Sequence, residues 1–576
     1  MVNVKNLFGM AVMATALVGC SSNDNLAPDG KDNVGKPGTA YAKFTIQLPT
    51  VSGTRAEGDP KPGTPSFEGG TANEYAVKDA QLVIFQKAGD SEGDYKFVET
   101  VNIGNLEPWT DNTPNTGVTR YANITAQLKG VSLDGTGNEY FALIILNNGS
   151  ESKVTLPTAG MTYSAWNVAN NAKSAAAFLN SENGFYMANA PLYSTGEPTT
   201  LVPIKGVYST KAEAQTNPAT TVYVERGMAK VTVNGSDFTI DDESSTYKTD
   251  IVKINQWTLD VLNKSTFPVH VTTGLKKNFD AIWTTSRFVA TGSTPQRVYW
   301  GVDPNYDKST LTTVPECQKE FYIVDNDGKT YNGDPSSTFT WSANTTPLYC
   351  LENTFNLANM KQGQTTRVVF KATYTPHDLT GKDKTFFMIG NNTQIWTKDA
   401  LVAQITSKAK EMRKSTAVVV TINTDAPLLK GGSHLLSSAD VTIKDGSVDL
   451  TETFDYATLN TKLGLNNTEM DVNGKPKVGI KTYENGECYY IARIKHFNEL
   501  TPWASGQTYT DNAKYLGRYG VLRNNWYDLT VSKVSAPGYP DVPVVNPTDP
   551  DDEDTKFINV DVKILDWAKR SQSIEL

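Results

Sequence analysis

Few side chains of this 576-residue chain are spaced for catalytic or metal chemistry. None of the four histidines has a partner at triad or metal-ligand spacing: His270, His377, His434 and His496. Residues 325–328, Asp-Asn-Asp-Gly, start like a calcium loop but lack the third ligand position and the distal glutamate, so we interpret them as a hairpin turn. The sequence therefore predicts no catalytic site, no metal, no cofactor and no enzymatic activity.

Cys20 follows a short apolar segment that predicts modification of its thiol. Lys5 precedes an apolar run over residues 7–18, which is too short to span a bilayer. A charged start, a short apolar core and Leu-Val-Gly before the cysteine resemble a bacterial lipoprotein signal, in which the peptide is cut before Cys20 and the thiol is lipidated. The alternative, a buried N-terminal helix, is disfavoured because residues 21–36 are polar. Several acyl chains would hold such a precursor firmly to a membrane.

The remaining cysteines do not form a disulfide framework. Cys317, Cys350 and Cys488 are odd in number and widely spaced in a chain predicted to be exported. We expect buried free thiols, with a single bridge between Cys317 and Cys350 as the alternative.

Composition limits the classes of protein and partner. A chain of this length with 39% hydrophobic residues is expected to form two domains. A net charge of -9 and a pI near 5.2 argue against nucleic acid, because a phosphate backbone would be repelled.

Strand patterns dominate the body of the chain. The runs are rich in Val, Ile, Thr and aromatic residues and are separated by turn residues, which predicts antiparallel β-sandwiches. The predicted strands are residues 80–86, 141–146, 221–224, 230–233, 251–262, 367–374, 417–422 and 526–534. Apolar residues at helical spacing predict helices over residues 164–179 and 397–414.

Two matching strand patterns lie at the ends of the chain, and either could fill the same position in a sheet. The first alternates apolar and polar residues at Ala42, Phe44, Ile46 and Leu48, and the second does so at Ile558, Val560, Val562 and Ile564. Leu565 and Trp567 break the even phase of the second pattern, which indicates a bulge or the strand's end, with Trp567 as a plug. A protein that polymerises by strand exchange needs such a pair.

Each end pattern is separated from the body. A Gly/Pro-rich stretch with the solitary Arg55 follows the first. Residues 537–556 precede the second, and their five prolines and run of acidic residues exclude a helix or a central strand. As extended chain this linker would span up to about 60 Å at ~3.1 Å per residue, enough to reach a neighbouring subunit.

Four short motifs, in order, resemble the structural fimbrillins of type V pili, with the minor, Mfa-type fimbrillin as the closest likeness. They are residues 52–56 (Ser-Gly-Thr-Arg-Ala), 224–231 (Val-Glu-Arg-Gly-Met-Ala-Lys-Val), 521–529 (Val-Leu-Arg-Asn-Asn-Trp-Tyr-Asp-Leu) and 562–567 (Val-Lys-Ile-Leu-Asp-Trp). Residues 265–480 contain little that matches the family. The resemblance implies two antiparallel, transthyretin-like β-sandwich domains with a few short helices and a C-terminal donor strand.

The family's way of assembly, carried to this sequence, divides the chain into six parts. An arginine-specific protease would cut between Arg55 and Ala56 and remove the strand over residues 41–49, and the donor segment of another copy, residues 557–567, would fill the groove. A protease of other specificity would cut elsewhere. The expected parts are a signal peptide, a propeptide, two domains, a linker and a donor segment, at residues 1–20, 21–55, 56–235, 236–536, 537–556 and 557–576.

The resemblance also implies partners and leaves alternatives. The partners would be other copies of the chain, accessory anchor and tip subunits, the protease, and receptors on host or bacterial surfaces. A surface lipoprotein that binds glycans would share the signal and the sandwiches but would stay monomeric after proteolysis. An accessory anchor or tip subunit would share the fold, but an anchor would keep its first strand and a tip would not donate its last.

Overall fold

The computed structural model of the chain describes most of its length. The described residues are 39–49, 71–106, 110–111, 118–133, 139–149, 153–169, 173–283, 288–289, 296–337, 339–379, 383–496, 516–551 and 558–566.

The N-terminal part of the chain is mostly strand. Its strands are β1 Ala40–Pro49, β2 Ala80–Gln86, β3 Lys96–Gly104, β4 Thr110–Asp111, β5 Val118–Leu128, β6 Tyr140–Leu146, β7 Lys173–Ser174, β8 Met187–Asn189, β9 Leu192–Tyr193, β10 Val202–Pro203 and β11 Thr220–Arg226. Its helices are short: α1 Ala72–Tyr75, α2 Ala175–Leu179, α3 Lys211–Thr216, a 3-10 turn Glu92–Asp94 and a π-helix Ala165–Ala169.

The sheet of this part runs in the order β3-β2-β6-β8-β11-β1-β5-β4, with β10 paired to β6. One core joins inward side chains of β1, β5 and β11 to those of β2 and β6, so the sheet folds over itself as a sandwich. The opposite face of β2 and β6 is buried too, because Phe85 and Ile145 pack with Trp166 and Phe178 of the helical segments. Burial on both faces explains why β6 is a continuous apolar run.

The C-terminal part begins with β12 Ala229–Asn234. Its next strands are β13 Asp237–Thr239, β14 Ile251–Asp260, β15 Leu262–Asn263, β16 Ser265–Thr266, β17 Gln296–Arg297, β18 Phe321–Tyr322, β19 Leu348–Cys350 and β20 Arg367–Thr375. Its helices are α4 Leu275–Asn278, α5 Val314–Glu320 and 3-10 turns at Asp280–Ile282, Leu357–Asn359 and His377–Leu379.

An insert with its own core follows β20. It contains β21 Phe386–Ile389, α6 Lys398–Arg413, β22 Val418–Ile422, a 3-10 turn Pro427–Leu429, β23 Gly432–His434, β24 Val441–Asp445, β25 Val448–Asp449, α7 Tyr456–Lys462 and β26 Ile480–Tyr483. Phe387, Leu401 and Ile443 belong to its core. A 3-10 turn Glu484–Gly486 leads out of the insert, and the chain then returns through β27 Glu487–Arg493, β28 Asn525–Val534 and β29 Ile558–Asp566.

The second sandwich packs two four-stranded sheets, β19-β12-β28-β29 and β13-β14-β20-β27, against each other. Val231, Ile254, Phe370 and Tyr527 come from four of these strands and share one core. Since β20 and β27 are hydrogen-bonded neighbours, the insert leaves and re-enters the sandwich at one point of the sheet.

The predicted fold class is confirmed: the chain is mainly β, in two sandwiches with few short helices. Each predicted strand has its counterpart in β2, β6, β11, β12, β14 with β15, β20, β22 and β28. The chain passes from the first sandwich to the second between β11 and β12, and the domain bounds stay a prediction. None of the described helices is both long and apolar enough to cross a membrane.

One helix prediction is confirmed and one is wrong. The helix over residues 397–414 is α6, whose Thr397 hydroxyl accepts the Ala400 N–H at 3.2 Å. The helix over residues 164–179 is broken into a π-helix and α2. Between them, β7 pairs with β16, and the Ala175 N–H donates to the Lys264 carbonyl, so this backbone is bonded to a distant segment instead of to its own turn.

Candidate strand-exchange site

The strand predicted to be removed, β1, occupies an interior position in the N-terminal sheet. It pairs antiparallel with β5 along its whole length and parallel with β11 over residues 44–47. Tyr41 exchanges two further backbone hydrogen bonds with Tyr208, at 2.8 and 2.9 Å. Because β1 is bonded on both sides, a chain without it would present two facing rows of unpaired backbone groups.

Alternate side chains of β1 form part of the core. The inward-facing side chains are between 0 and 3% exposed: Ala40, Ala42, Phe44, Ile46 and Leu48. Burial of the three large ones contributes ~1.5–3 kcal/mol each, roughly 5–9 kcal/mol together before entropy is counted. β1 therefore has the burial of a core strand, and its removal stays a prediction.

The predicted donor strand, β29, lies on the same chain's second sandwich. It is the edge strand beside β28 and pairs with it antiparallel from Ile558 to Asp566, which includes Leu565. The register sets alternate residues of β29 opposite buried residues of β28: Val560 opposite Val531, Val562 opposite Leu529, and Ile564 opposite Tyr527. In this single chain, the predicted donor strand and the strand it would replace lie in different sandwiches.

The predicted modification and cleavage residues cannot be placed. Cys20, Arg55, Ala56 and Trp567 lie outside the described residues. Their roles stay predictions.

The two longest motifs of the resemblance, residues 224–231 and 521–529, meet where the two sandwiches join, and we call this contact the junction. β12 pairs parallel with β28 in register Lys230 to Trp526. The Asn524 N–H donates to the Met228 carbonyl at 2.7 Å, and the Asn524 side chain accepts the Arg226 N–H at 3.1 Å. Both motifs thus contribute hydrogen bonds that join the two sandwiches.

A buried ion pair lies at the junction. Lys230 Nζ lies 2.7 Å from Glu74 Oε1 and 3.8 Å from the centre of the Trp526 ring. Burial alone would raise the pKa of Glu74, but hydrogen bonds from Lys230 and Tyr349 outweigh it and hold the pKa below its usual value. The carboxylate therefore stays charged inside the protein.

A second buried charge cluster contains His270 but is not arranged for catalysis. Glu225 Oε1 lies 2.8 Å from His270 Nδ1, and Glu225 Oε2 accepts from Arg297 at 3.0 Å. Glu352 bonds Arg523 at 3.1 Å, and its Oε1 lies 3.6 Å from His270 Nε2. A triad needs a nucleophile at that nitrogen, where a carboxylate stands instead. Sequence reasoning missed this cluster, whose only local signal was charged residues beside apolar strand residues.

The linker predicted over residues 537–556 has neither a helix nor a strand in its described part, as expected, but this part is bound to the body and does not extend away from it. We call residues 537–551 the strap. Val542 and Val545 of the strap are buried, and Asp551 at its end is 0% exposed. The strap contains neither a helix nor a strand, yet its backbone is hydrogen-bonded to the second sandwich. Its partners are distant in sequence, so proline content alone suggested a free chain.

The three described cysteines are buried free thiols, and burial raises the pKa of each to about 12: Cys317, Cys350 and Cys488. Residues 325–328 form a turn, in which the Gly328 N–H donates to the Asp325 carbonyl at 2.9 Å. Among the described residues there is no group of three or more metal-ligating side chains.

The C-terminal segment, which contains part of the junction and the predicted donor strand, matches a known protein family. The family model described as "Major fimbrial subunit protein type IV, Fimbrillin, C-terminal" matches residues 481–573. The matched segment contains β27, β28, the strap and β29. The resemblance to the fimbrillins is confirmed over this segment. No curated protein matches the sequence.

Solved structures similar to the fimbrillin-like chain include three from fimbrial systems. A fimbrilin (fimA) from Porphyromonas gingivalis W83 is 11% identical, with 93% of this chain and 99% of that chain covered and a TM-score of 0.38. The tip fimbrial protein Mfa3 from Porphyromonas gingivalis is 9% identical, with coverage of 92% and 100% and a TM-score of 0.27. A fimbrial assembly protein from Parabacteroides distasonis ATCC 8503 is 13% identical, with coverage of 57% and 94% and a TM-score of 0.25.

Proposed function

We propose that the chain is the precursor of a structural shaft subunit of a bacterial surface fimbria. The observation that carries the proposal is the position of β1, an interior strand of the N-terminal sheet with every described inward side chain buried. The family match over the C-terminal segment supports it. The shaft would support adhesion and biofilm formation, without enzymatic activity.

The proposed route starts with a lipoprotein precursor. It would be lipidated at Cys20, carried to the outer membrane and cut after Arg55 by an arginine-specific protease. Arg55 lies six residues beyond the end of β1, so the cut would separate β1 from the body without touching a described strand of the sandwich. The mature subunit would then reside in the extracellular fimbria, with accessory anchor and tip subunits at its ends and surface receptors as its targets.

Donor-strand exchange follows from the groove that β1 would leave. The groove would expose the edges of β5 and β11 and the core positions now filled by β1, so a second chain's β29 would complete the sheet by β-strand addition. Burial of Ile558, Val560, Val562 and Ile564 would contribute roughly 6–12 kcal/mol in total before entropy costs. A slip of one residue would set Asp561 and Lys563 into the groove, which fixes the register.

The test is controlled proteolysis of the purified, unlipidated precursor with an arginine-specific protease. Intact mass locates the cut, and unboiled gels and electron microscopy detect polymers. We expect a cut after Arg55 and ladders or filaments. The Arg55→Ala variant should stay a monomer with β1 in place. A chain without residues 557–576 should be cut but should not extend.

The alternatives give different results in the same experiment. A stable monomer after a verified cut would favour a glycan-binding lipoprotein or an accessory subunit. Filaments of normal length from either variant would exclude exchange between β1 and the donor segment.

A further inference from the structure

We infer that the strap stays on its own subunit during polymerisation and that the donor segment leaves the body at Asp551. This inference rests on the proposed function. It adds the residue from which the donor strand extends toward the next subunit, and so limits the distance that the donor strand can span. Described residues of the strap contact the body of the protein in three places, and these contacts support the inference.

The strap first attaches beside β27. Tyr539 and Tyr489 exchange backbone hydrogen bonds, each of 2.8 Å, as in a short antiparallel bridge. The Tyr483 hydroxyl donates to the Gly538 carbonyl at 2.9 Å. The insert also holds this region, because Lys475 forms an ion pair with Asp541. The start of the strap thus lies between the sandwich and the insert.

A buried arginine holds the middle of the strap. Arg367 Nη2 donates to the Pro543 carbonyl at 2.5 Å, while Arg367 Nε donates to Asp260 Oδ2 at 2.8 Å. The side chains of Arg367 and Asp260 are both 0% exposed. Val545 packs in a buried cluster with Phe321 of β18. Detachment of the strap would remove an acceptor from a charged group inside the protein and expose apolar surface, and both effects oppose it.

The end of the strap is held at Asp551. The Thr365 hydroxyl donates to Asp551 Oδ2 at 3.0 Å, and Arg493 Nε donates to the Asp551 carbonyl at 3.2 Å. Arg493 is itself fixed, since its Nη1 donates to the Thr365 carbonyl at 2.7 Å. A buried carboxylate is costly to leave without its donors. Asp551, the last described residue before β29, is therefore held to the body.

The reach of the donor strand follows from this point. Six residues, 552–557, separate Asp551 from the start of β29. At ~3.3–3.6 Å per residue they span about 20–25 Å, well under half of the reach of a tether that begins at residue 537. The groove of the next subunit must then lie close to Asp551.

Shortening the six-residue segment tests the inference in the full-length precursor. The variant lacks residues 552–555, and its matched control replaces the same four residues by Gly-Ser-Gly-Ser. If the strap stays bound, the deletion leaves two residues of six, and the yield of polymer after proteolysis should fall at least ~10-fold because the tether cannot span the sites. The control should polymerise like the original chain. Equal polymer yields from the deletion variant and its control would show that the strap detaches, and would overturn the inference.

Two further measurements separate a short tether from misfolding. A labelled synthetic peptide of residues 557–576 should fill the groove of the cleaved deletion variant as it fills that of the control. Asp551→Ala and Thr365→Val, added to the deletion, remove the side-chain contact at the end of the strap. The last residues of the strap can then detach back toward Val545, which lengthens the tether and should restore polymers. Peptide uptake without such recovery would overturn Asp551 as the point of departure. If the unaltered precursor is cut correctly and never polymerises, the proposed function fails, whatever the deletion does.

Discussion

Phe44→Ala should destabilise the precursor and leave the mature fibre unchanged, because Phe44 lies in the strand that the proposed cleavage removes. Its side chain is 0% exposed and packs in the core shared by β1, β5 and β11. Replacement of a fully buried Phe by Ala costs ~3–5 kcal/mol. For a domain of about 150–250 residues, this corresponds to a fall of roughly 6–20 °C in the unfolding temperature.

The assay compares two states of the same variant. Thermal unfolding is followed for the uncleaved precursor, and dissociation on heating is followed for fibres from the cleaved chain. Val222→Ala provides the matched control, since Val222 is 0% exposed and lies opposite Ile46 on β11. β11 remains in the mature subunit, so Val222→Ala should weaken both the precursor and the fibre.

Two results would refute the reasoning. Equal losses of stability in precursor and fibre for Phe44→Ala would show that β1 remains in the mature subunit. An unchanged precursor would show that Phe44 does not pack in the core. Thr45→Ala, at a partly exposed position of the same strand, should have a small effect in either state.

Three further predictions concern buried polar groups. Burial raises the pKa of Asp303 to about 7. Between the ordinary pKa of 3.8 and this value, the folded chain holds a proton on Asp303 that the unfolded chain has released. The free energy of unfolding should therefore fall as pH rises from about 4 to about 7. In the Asp303→Asn variant, the unfolding temperature should fall less over the same pH range. Lys230→Met leaves Glu74 buried without its ion-pair partner and should cost ~3–5 kcal/mol in chemical denaturation, most of which the added Glu74→Gln should restore. The three thiols should resist alkylation in the native chain and react after denaturation, because burial suppresses the thiolate. Mass spectrometry can count the alkylated cysteines in each state.

Features set by local patterns could be predicted from the sequence. α6 lies within a residue of its predicted bounds because Thr397 caps it and Leu401 and Ile405 are spaced for one buried face. The alternation of β1 identified its inward side chains correctly, since Phe44 and Ile46 are both buried. In each case the deciding interactions lie within a few residues.

Features set by distant contacts could not be predicted. The linker was expected to be extended chain because its prolines exclude regular structure, yet Arg367 and Arg493 bind the strap from strands that lie far from it in the sequence. The insert was missed as a unit because its core joins α6 to strands such as β24, and local periodicity does not tell which elements pack together. Its point of insertion depends on the pairing of β20 with β27, which is a contact across more than a hundred residues.

The two end strands cover edges at two places in the precursor. β1 fills the groove of the first sandwich, and β29 pairs with β28 at the edge of the second. Unpaired strand edges with apolar neighbours promote association between chains, so a precursor whose groove is filled by β1 is expected to remain monomeric until it is cut. The proposed cut would open the groove, whose unpaired edges would then compete with β28 for a donor strand. Polymerisation by this route requires that β29 gain more from the groove of a neighbour than it loses by leaving β28, and the groove offers two strand edges where β28 offers one. The added row of hydrogen bonds therefore favours the exchanged state.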